Sequence, residues 1–153
     1  MVHETRKSWL QSYTLLWLGI ILLISAFTFR QTIRWNVQDS YSIQFTTSKF
    51  DGGFRGLKAE IQFEEQNLSA SKISASVDAS TIETGNSLRN RHARQGLEAE
   101  QYPVISFVSS SIRKTQTGYE AVGKLTIKNI TREIILPFMF QKTADGGVFA
   151  GKF

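Results

Sequence analysis

Apolar and polar residues alternate along most of the chain after residue 40, in short segments with a period of two. This period is typical of half-buried β-strands, because successive side chains of a strand point to opposite faces of its sheet. The predicted strands cover residues 41–47, 54–63, 73–79, 104–109, 119–128, 133–140 and 148–153. The predicted turns between them lie at residues 51–53, 117–118, 128–129 and 144–147. Short strands at regular spacing favour an antiparallel sandwich or barrel.

Two segments interrupt this alternation. Residues 64–71 are polar and predict a loop. Residues 86–100 contain few β-branched residues and offer Asn86 or Ser87 as the residue that begins a helix. They predict a short helical insertion whose end is weakened by Gly96.

The apolar residues of each predicted strand share one face. In a small barrel, one face of every strand points inward. The residues assigned to that face are Ile43, Phe45, Leu57, Ile61, Phe63, Ile73, Val77, Ile105, Phe107, Leu125, Ile127, Ile134, Leu136 and Phe138. A filled core and a ligand cavity produce the same pattern, so both remain open at this stage. The pattern alone favours a filled core, because every domain needs one.

The segment that precedes the predicted strands is of a different kind. Ser8–Phe29 carries no charge over its 22 residues and follows Arg6 and Lys7, the order of a secretory signal. Ala26 suits a cleavage site but Ile24 does not, and the segment is also long enough for a retained membrane anchor. Both alternatives carry the following domain out of the cytoplasm. The predicted organisation is a signal peptide or signal anchor at 1–29, a linker at 30–34 and a β domain at 35–153.

Composition narrows the class of protein. The 153 residues are 41% hydrophobic and 20% charged, values that suit one globular domain. Cysteine is absent, which excludes disulfides, thiolate nucleophiles and cysteine-bound zinc. The net charge of +5 suits a soluble domain with a basic surface or an anion site. No run of basic residues interleaved with aromatic residues indicates binding to nucleic acid.

Candidate catalytic chemistry is sparse. His92 is the only histidine after the N-terminal segment, and a surface role explains it. The sequence contains no nucleophile elbow, no HExxH motif and no P-loop. Glu64 and Glu65 are adjacent but suit a solvated turn better than a metal site. We therefore expect no enzymatic activity, no catalytic residue, no metal and no cofactor.

Several ordered motifs carry a resemblance to a known family. They are Trp35–Phe45, Gly53–Leu57, Ile61–Phe63, Ser80–Asn86 followed by Arg89, Tyr102–Ser109, and Gly123–Arg132. Their order and spacing are more specific than any one of them. Over residues 35–153 the sequence resembles the YceI-like family of exported polyisoprenoid-binding proteins.

The resemblance implies a fold, a ligand and a location. The fold is mainly antiparallel all-β, a lipocalin-like up-and-down β-barrel with a short helical insertion and an elongated apolar cavity. The ligand is an isoprenoid lipid, either a polyprenyl phosphate or a quinone tail, which the protein carries, stores or senses. The location is the periplasm or cell envelope, near the membrane through residues 8–29, with homodimers in some members. The alternative is a structural or protein-binding envelope module with a filled core and no ligand.

The resemblance turns the apolar face into a candidate lipid site. We expect the fourteen inward residues named above, together with Phe54 and Ile82, to line the cavity. Arg89, Arg91 and Arg94 lie within six residues on the predicted helix. If that helix lies at the mouth of the cavity, their guanidinium groups meet a phosphate or an anionic membrane. A solvated helix face is the alternative interpretation of these arginines.

The sequence also departs from the family pattern. Asn90 stands where the family usually has Asp, and the aromatic stretch before the Tyr-Pro pair is reduced to Leu97–Gln101. A histidine common in the first strand region is missing. Family members continue beyond the position of Phe153 through at least one more strand. The resemblance therefore predicts a barrel that is incomplete at its C-terminal side.

Overall fold

Seven antiparallel strands form one curved sheet in the computed structural model, which describes residues 33–152. In the order of the sheet they are β1 Arg34–Asn36, β4 Lys58–Gln62, β5 Lys72–Asp78, β6 Val104–Lys114, β7 Tyr119–Ile127, β8 Ile130–Thr143 and β9 Gly146–Gly151. From β4 to β9 each strand pairs with the next one along the chain, the up-and-down connectivity that the sequence predicts. The sheet curls into a nearly closed barrel, which confirms the predicted fold class.

The remaining strands and the helix are insertions into this sheet. A two-stranded hairpin consists of β2 Ile43–Thr46 and β3 Asp51–Phe54. The helix α1 covers Ser87–Leu97, and short 3-10 turns cover Leu68–Ala70 and Ala79–Thr81. Asn86 begins the helix, because its Oδ1 accepts a hydrogen bond from the backbone N–H of Arg89 at 3.0 Å. This confirms the predicted helix and the first of its two candidate starts.

Phe63 is the centre of the core. Its side chain is only 1% exposed. Four rings surround it edge-on at centroid distances between 5.0 and 5.6 Å, and they belong to Tyr119, Phe138, Phe140 and Phe149. We call these five rings the aromatic cluster. It fills the end of the barrel where β4 ends and β7 begins, which we call the aromatic end.

The two edge strands of the sheet meet through side chains. Among the described residues, no backbone ladder joins β1 to β9. Instead, the indole of Trp35 on β1 lies 5.3 Å from the ring of Phe140 and 5.9 Å from that of Phe149. The indole N–H also donates to the carbonyl oxygen of Phe63 at 3.0 Å. Aromatic packing therefore closes the seam between the first and last strands.

The middle of the barrel is filled as well. Phe107 on β6 is 7% exposed and belongs to the same core as Phe63. A Cβ atom added to Gly123 on the neighbouring strand would lie 2.8 Å from its Cζ, so the absence of a side chain at Gly123 makes room for this ring. Further along β6, the register shifts between Ser109 and Ser111, and Ile112 also joins the core. The strand thus continues to Lys114, five residues past its predicted end.

One predicted turn is wrong. Residues 51–53 lie within β3, and the chain instead turns at residues 47–50, where the Thr47 hydroxyl donates to the Phe50 carbonyl at 2.7 Å. A Cβ atom on Gly52 would lie 2.5 Å from Cζ of Phe45 and 2.7 Å from the carbonyl oxygen of Glu83. The glycine serves close packing across the hairpin rather than a turn.

The single strand predicted over residues 54–63 is divided in two. Between β3 and β4, the Tyr41 hydroxyl accepts hydrogen bonds from the backbone N–H groups of Gly56 and Leu57, at 2.7 and 3.2 Å. These bonds satisfy backbone N–H groups that a neighbouring strand would otherwise pair. The alternating pattern of residues 54–63 therefore spans a break between two strands. The break separates the hairpin from the barrel.

The apolar N-terminal segment at residues 8–29 lies outside the described residues, and so do the predicted signal peptide or anchor and most of the predicted linker. Within residues 33–152, no helix has both the length and the apolarity needed to cross a bilayer.

Replacing Phe63 by Ala should destabilise the domain by about 3–5 kcal/mol, because the change leaves a cavity among four rings. Thermal and urea unfolding of the two proteins would measure the difference. Met139→Ala is the matched control, since that side chain is 61% exposed and its loss should change stability by less than about 0.5 kcal/mol. Equal effects of the two changes would contradict the central role of Phe63.

The aromatic end should be sensitive to alkali. The buried Tyr119 hydroxyl donates to Oε1 of Glu65 at 2.6 Å, and this bond, with burial, raises the pKa of Tyr119 to about 12. Because the folded-state pKa lies above the ordinary value of 10.0, this stabilisation is complete below pH 10 and is lost as the pH rises through about 12. Melting temperatures of the wild type and Tyr119→Phe should therefore converge over that interval. A constant difference between them would show that the phenol does not titrate there.

Candidate functional site

The connectivity of the sheet places both insertions at the end of the barrel opposite the aromatic cluster. The hairpin lies between the end of β1 and the start of β4, and Asn36 with Glu60 is the pair of these two strands nearest to it. The helix lies between the end of β5 and the start of β6, which pair as Asp78 with Val104. Antiparallel neighbours reverse direction, so these four strand ends share one end of the sheet. We call it the open end.

Apolar residues of the inner face remain exposed at the open end. Ile127 lies two residues after Leu125, which packs against the core, so both side chains point inward. Ile127 is nevertheless 37% exposed, and its register partner Ile130 is 55% exposed. Val77 and Ile105, which pair across β5 and β6, are half-buried at the same end. The barrel is thus filled at one end and unfilled at the other.

The hairpin and the segment before the helix are joined by backbone hydrogen bonds. Gly53 of β3 donates to the carbonyl of Glu83 at 2.8 Å, and Glu83 donates back to the carbonyl of Gly53 at 2.9 Å. The Thr81 hydroxyl accepts from the backbone N–H of Arg55 at 3.0 Å and donates to its carbonyl at 2.7 Å. The hairpin is therefore fixed to the start of the helical insertion.

A buried side chain extends this connection into the helix. Asn90 is 7% exposed, and its Oδ1 accepts from both the backbone N–H and the hydroxyl of Thr84, at 2.8 and 2.7 Å. Its Nδ2 donates to Oε1 of Glu83 at 2.8 Å. The same oxygen accepts from the backbone N–H of Gly85 at 2.8 Å. The hydrogen bond from Asn90, followed by that from Gly85, lowers the pKa of Glu83. We call Glu83, Thr84 and Asn90 the junction.

Arginine and aromatic side chains add a second contact between helix and hairpin. The guanidinium of Arg89 lies 5.7 Å from the ring centroid of Phe50, within the range of a cation–π interaction. Phe50 in turn packs edge-on against Phe45 at 6.2 Å. The helix thus contacts the turn of the hairpin, whereas the segment before the helix contacts its second strand.

A cleft of about 720 Å³ lies along the hairpin. Apolar side chains on its lining come from Ile43, Phe45 and Phe54, and polar groups come from both the hairpin and the junction. Its size is within the range of small-molecule sites.

The structure divides the sixteen predicted lining residues into three groups. The residues packed in the core are Ile61, Phe63, Ile73, Phe107, Leu125, Ile134, Leu136 and Phe138. Those along the hairpin cleft are Ile43, Phe45 and Phe54. The others are Leu57, Val77, Ile82, Ile105 and Ile127, of which Ile82 is buried and Ile127 is exposed. The first group packs together in the core, and the second group lines the cleft.

The three predicted arginines are all exposed on α1. Arg89 contacts Phe50, and Nη1 of Arg94 donates to the carbonyl oxygen of Ser80 at 3.4 Å. His92, on the same helix, is also exposed. The helix does lie at the open end, as the hypothesis of a head-group contact requires, because Glu98 at its end reaches Lys128 after β7.

Sequence reasoning missed several residues that fill one end of the barrel and so distinguish it from the open end. Trp35, Tyr119, Phe140 and Phe149 build the aromatic end, yet none was assigned to the inner face. Phe140 follows Phe138 by two residues, so the same alternation was available as a signal for it. Asn90 differs from the family pattern, but nothing in the sequence indicates that its side chain is buried.

Comparison with protein families gives one match over most of the chain. The family model of the YceI-like domain matches residues 30–153. The protein YceI of Salmonella newport is 30% identical over 118 residues, which are 73% of this chain and 58% of that protein. UPF0312 protein YE1254 of Yersinia enterocolitica is 28% identical over 87 residues, 56% of this chain and 45% of that protein. The chain spans about half the length of these curated relatives.

Solved structures show the same architecture. The crystal structure of BcnA from Burkholderia cenocepacia matches with a TM-score of 0.66 and 22% identity, over 72% of each chain. That of the Campylobacter jejuni YCEI protein matches with a TM-score of 0.55 and 23% identity, over 72% of this chain and 68% of that one. At such identities the likeness shows a shared fold alone.

Replacing Asn90 by Asp should weaken the junction at neutral pH. Both bonds from Thr84 are retained, but a second carboxylate then faces Glu83 where an N–H group donated before. The melting temperature at pH 7 should fall. In the wild type, the lowered pKa of Glu83 stabilises the fold above the ordinary value of 4.5 and ceases to do so as the pH falls through the folded-state value. The two proteins should therefore converge in acid.

A second change separates charge repulsion from loss of shape. Glu83→Gln added to Asn90→Asp again pairs one amide with one carboxylate, and it should recover part of the lost melting temperature at pH 7. Thermal melts of the single and double variants between pH 4 and 8 would measure this. A double variant no more stable than Asn90→Asp would contradict the repulsion.

Proposed function

The chain belongs to the YceI-like domain family, and on that premise we propose that it binds an isoprenoid lipid at the open end of its barrel. The observation that carries the proposal is the exposure of inward-facing Ile127 and Ile130 beside half-buried Ile105. Apolar side chains on the inner face of a barrel normally belong to its core. Here they line a mouth that a hairpin and a helix flank.

The energetics of an isoprenoid chain suit such a mouth. The chain makes no hydrogen bonds along its length, so its affinity comes from burying apolar area. At about 0.8 kcal/mol per carbon group, one five-carbon unit contributes up to ~4 kcal/mol. Association costs about 4–15 kcal/mol, so micromolar binding requires several buried units. Because the aromatic end is filled, these units extend from Ile127 and Ile105 toward Phe45 and Phe54 in the hairpin cleft.

The proposed setting is the cell envelope. The uncharged segment Ser8–Phe29 directs the domain out of the cytoplasm, either as a cleaved signal or as an anchor. An anchor would hold the barrel beside the membrane that supplies the lipid. In either form the protein acts as a carrier, a store or a sensor of the lipid, without catalysis.

A second candidate function has its own support. Phe63 and Phe107 fill the barrel from the aromatic end to its middle, as in a module whose interior needs no ligand. Such a module would serve the envelope as a structural or protein-binding unit. The two candidates differ in whether lipid accompanies the purified protein.

Replacing Ile127 and Ile130 together by Gln should weaken the binding of geranylgeraniol about tenfold, because two apolar contacts are replaced by amides at positions that water already reaches. Native mass spectrometry of the full chain with added geranylgeraniol would measure the bound fraction. Ile135→Gln is the matched control, since this 49% exposed residue pairs with Val122 and points away from the inner face.

The wild type should bind the lipid, and the control should match it. A wild-type protein that retains no prenyl lipid, either native or added, would favour the filled module instead. Binding that survives the double substitution unchanged would place the lipid elsewhere. Substituting Phe63 or Phe107 is less informative, because both are buried and their loss destabilises the domain as well as changing any lipid contact.

A further inference from the structure

Two cations lie near the turn between β7 and β8, at the open end of the barrel. Lys128 forms the turn with φ +57°, and its Nζ lies 2.7 Å from Oε1 of Glu98 at the end of α1. Arg132 lies four residues further on, within β8. The surroundings of these two cations differ, because Lys128 is paired with the carboxylate of Glu98.

The register of the sheet places Arg132 on the inner face. It is the partner of Leu125 on β7, and directly opposed residues of antiparallel strands share a face. It also lies two residues before Ile134 on its own strand. Leu125 and Ile134 both pack against the core. Two neighbours on different strands therefore give the same orientation.

The charges next to Arg132 do not neutralise it. Glu133 and Lys124 are register partners and lie on the opposite, outer face of the sheet. Among residues 33–152, the ion pairs are Arg113 with Glu120 and Lys128 with Glu98, so neither includes Arg132. An exposed guanidinium thus stands one layer inside the rim that Ile127 and Ile130 form, next to apolar side chains.

We propose that Arg132 binds the anionic head group of the ligand, which makes the preferred ligand a prenyl phosphate or diphosphate rather than a neutral prenol or quinone. The proposal rests on the proposed function, since it concerns the same open end. A guanidinium binds phosphate oxygens through paired N–H donors, and its long stem allows the charged group to reach the rim while the stem lies along apolar residues. Arg89 and Arg94 on the helix already contact Phe50 and Ser80.

The test compares two ligands that differ only in charge. Geranylgeranyl diphosphate and geranylgeraniol would be titrated by calorimetry into the full chain, at a fixed concentration of non-ionic detergent. Arg132→Gln should weaken the diphosphate by about tenfold or more and leave the prenol within about twofold, because only the first ligand has the anion that the guanidinium contacts. Arg132→Lys keeps the charge but not the paired donors, so an intermediate loss is expected.

Lys124→Gln is the matched control for the charge change, since Lys124 adjoins Leu125 but faces outward, and it should leave both affinities unchanged. Equal loss of both ligands in Arg132→Gln, or no loss of either, would overturn the role of Arg132. Arg91→Gln tests whether the helix binds the head group instead. A loss of diphosphate affinity confined to that variant would overturn the role of Arg132. Failure of the wild type to bind either ligand would refute the proposed function itself. Melting temperatures of all variants would establish that they are folded.

Discussion

The packing of rings around Phe63 is the interaction on which the rest of this structure depends. The sheet has two edges, and a ladder of backbone hydrogen bonds joins neighbouring strands only as far as β9. The first strand has just three residues, too few to hold its position through pairing with β4 alone. Trp35 connects it both to Phe63 and to the rings of the last two strands. Ring packing thus turns a curved sheet into a barrel.

The same packing makes the two ends of the barrel different. One end of the barrel concentrates the large buried side chains, so it can hold the fold without a ligand. The other end receives both insertions, because each replaces a connection between strands that turn there. Glu83 belongs to both insertions at once, through its backbone to the hairpin and through its carboxylate to the helix. A change in that carboxylate should therefore affect both the hairpin and the helix, which are distant in sequence.

The sequence predicts those features of the structure that depend on residues close together along the chain. Strand alternation predicted an antiparallel sandwich or barrel, the family resemblance predicted the barrel, and Asn86 was one of two predicted starts of the helix. Gly52 was misread as a turn residue, since only the approach of Phe45 and Glu83 explains it. Alternation also cannot separate Phe107 in the core from Ile127 at the rim, because both follow the same pattern. Arg132 lies just before the predicted strand 133–140, so its orientation was not predicted, and its register with Leu125 shows that it faces inward.

The seam between β1 and β9 has a consequence for motion. Among the described residues these strands share aromatic contacts but no ladder, so parting them separates rings without breaking backbone hydrogen bonds between them. Any other pair of neighbouring strands in the sheet can separate only if a row of such bonds breaks. Local opening of the barrel therefore requires the least free energy at the seam between β1 and β9. Deuterium should reach amides beside Trp35 and Phe149 well before those between β6 and β7.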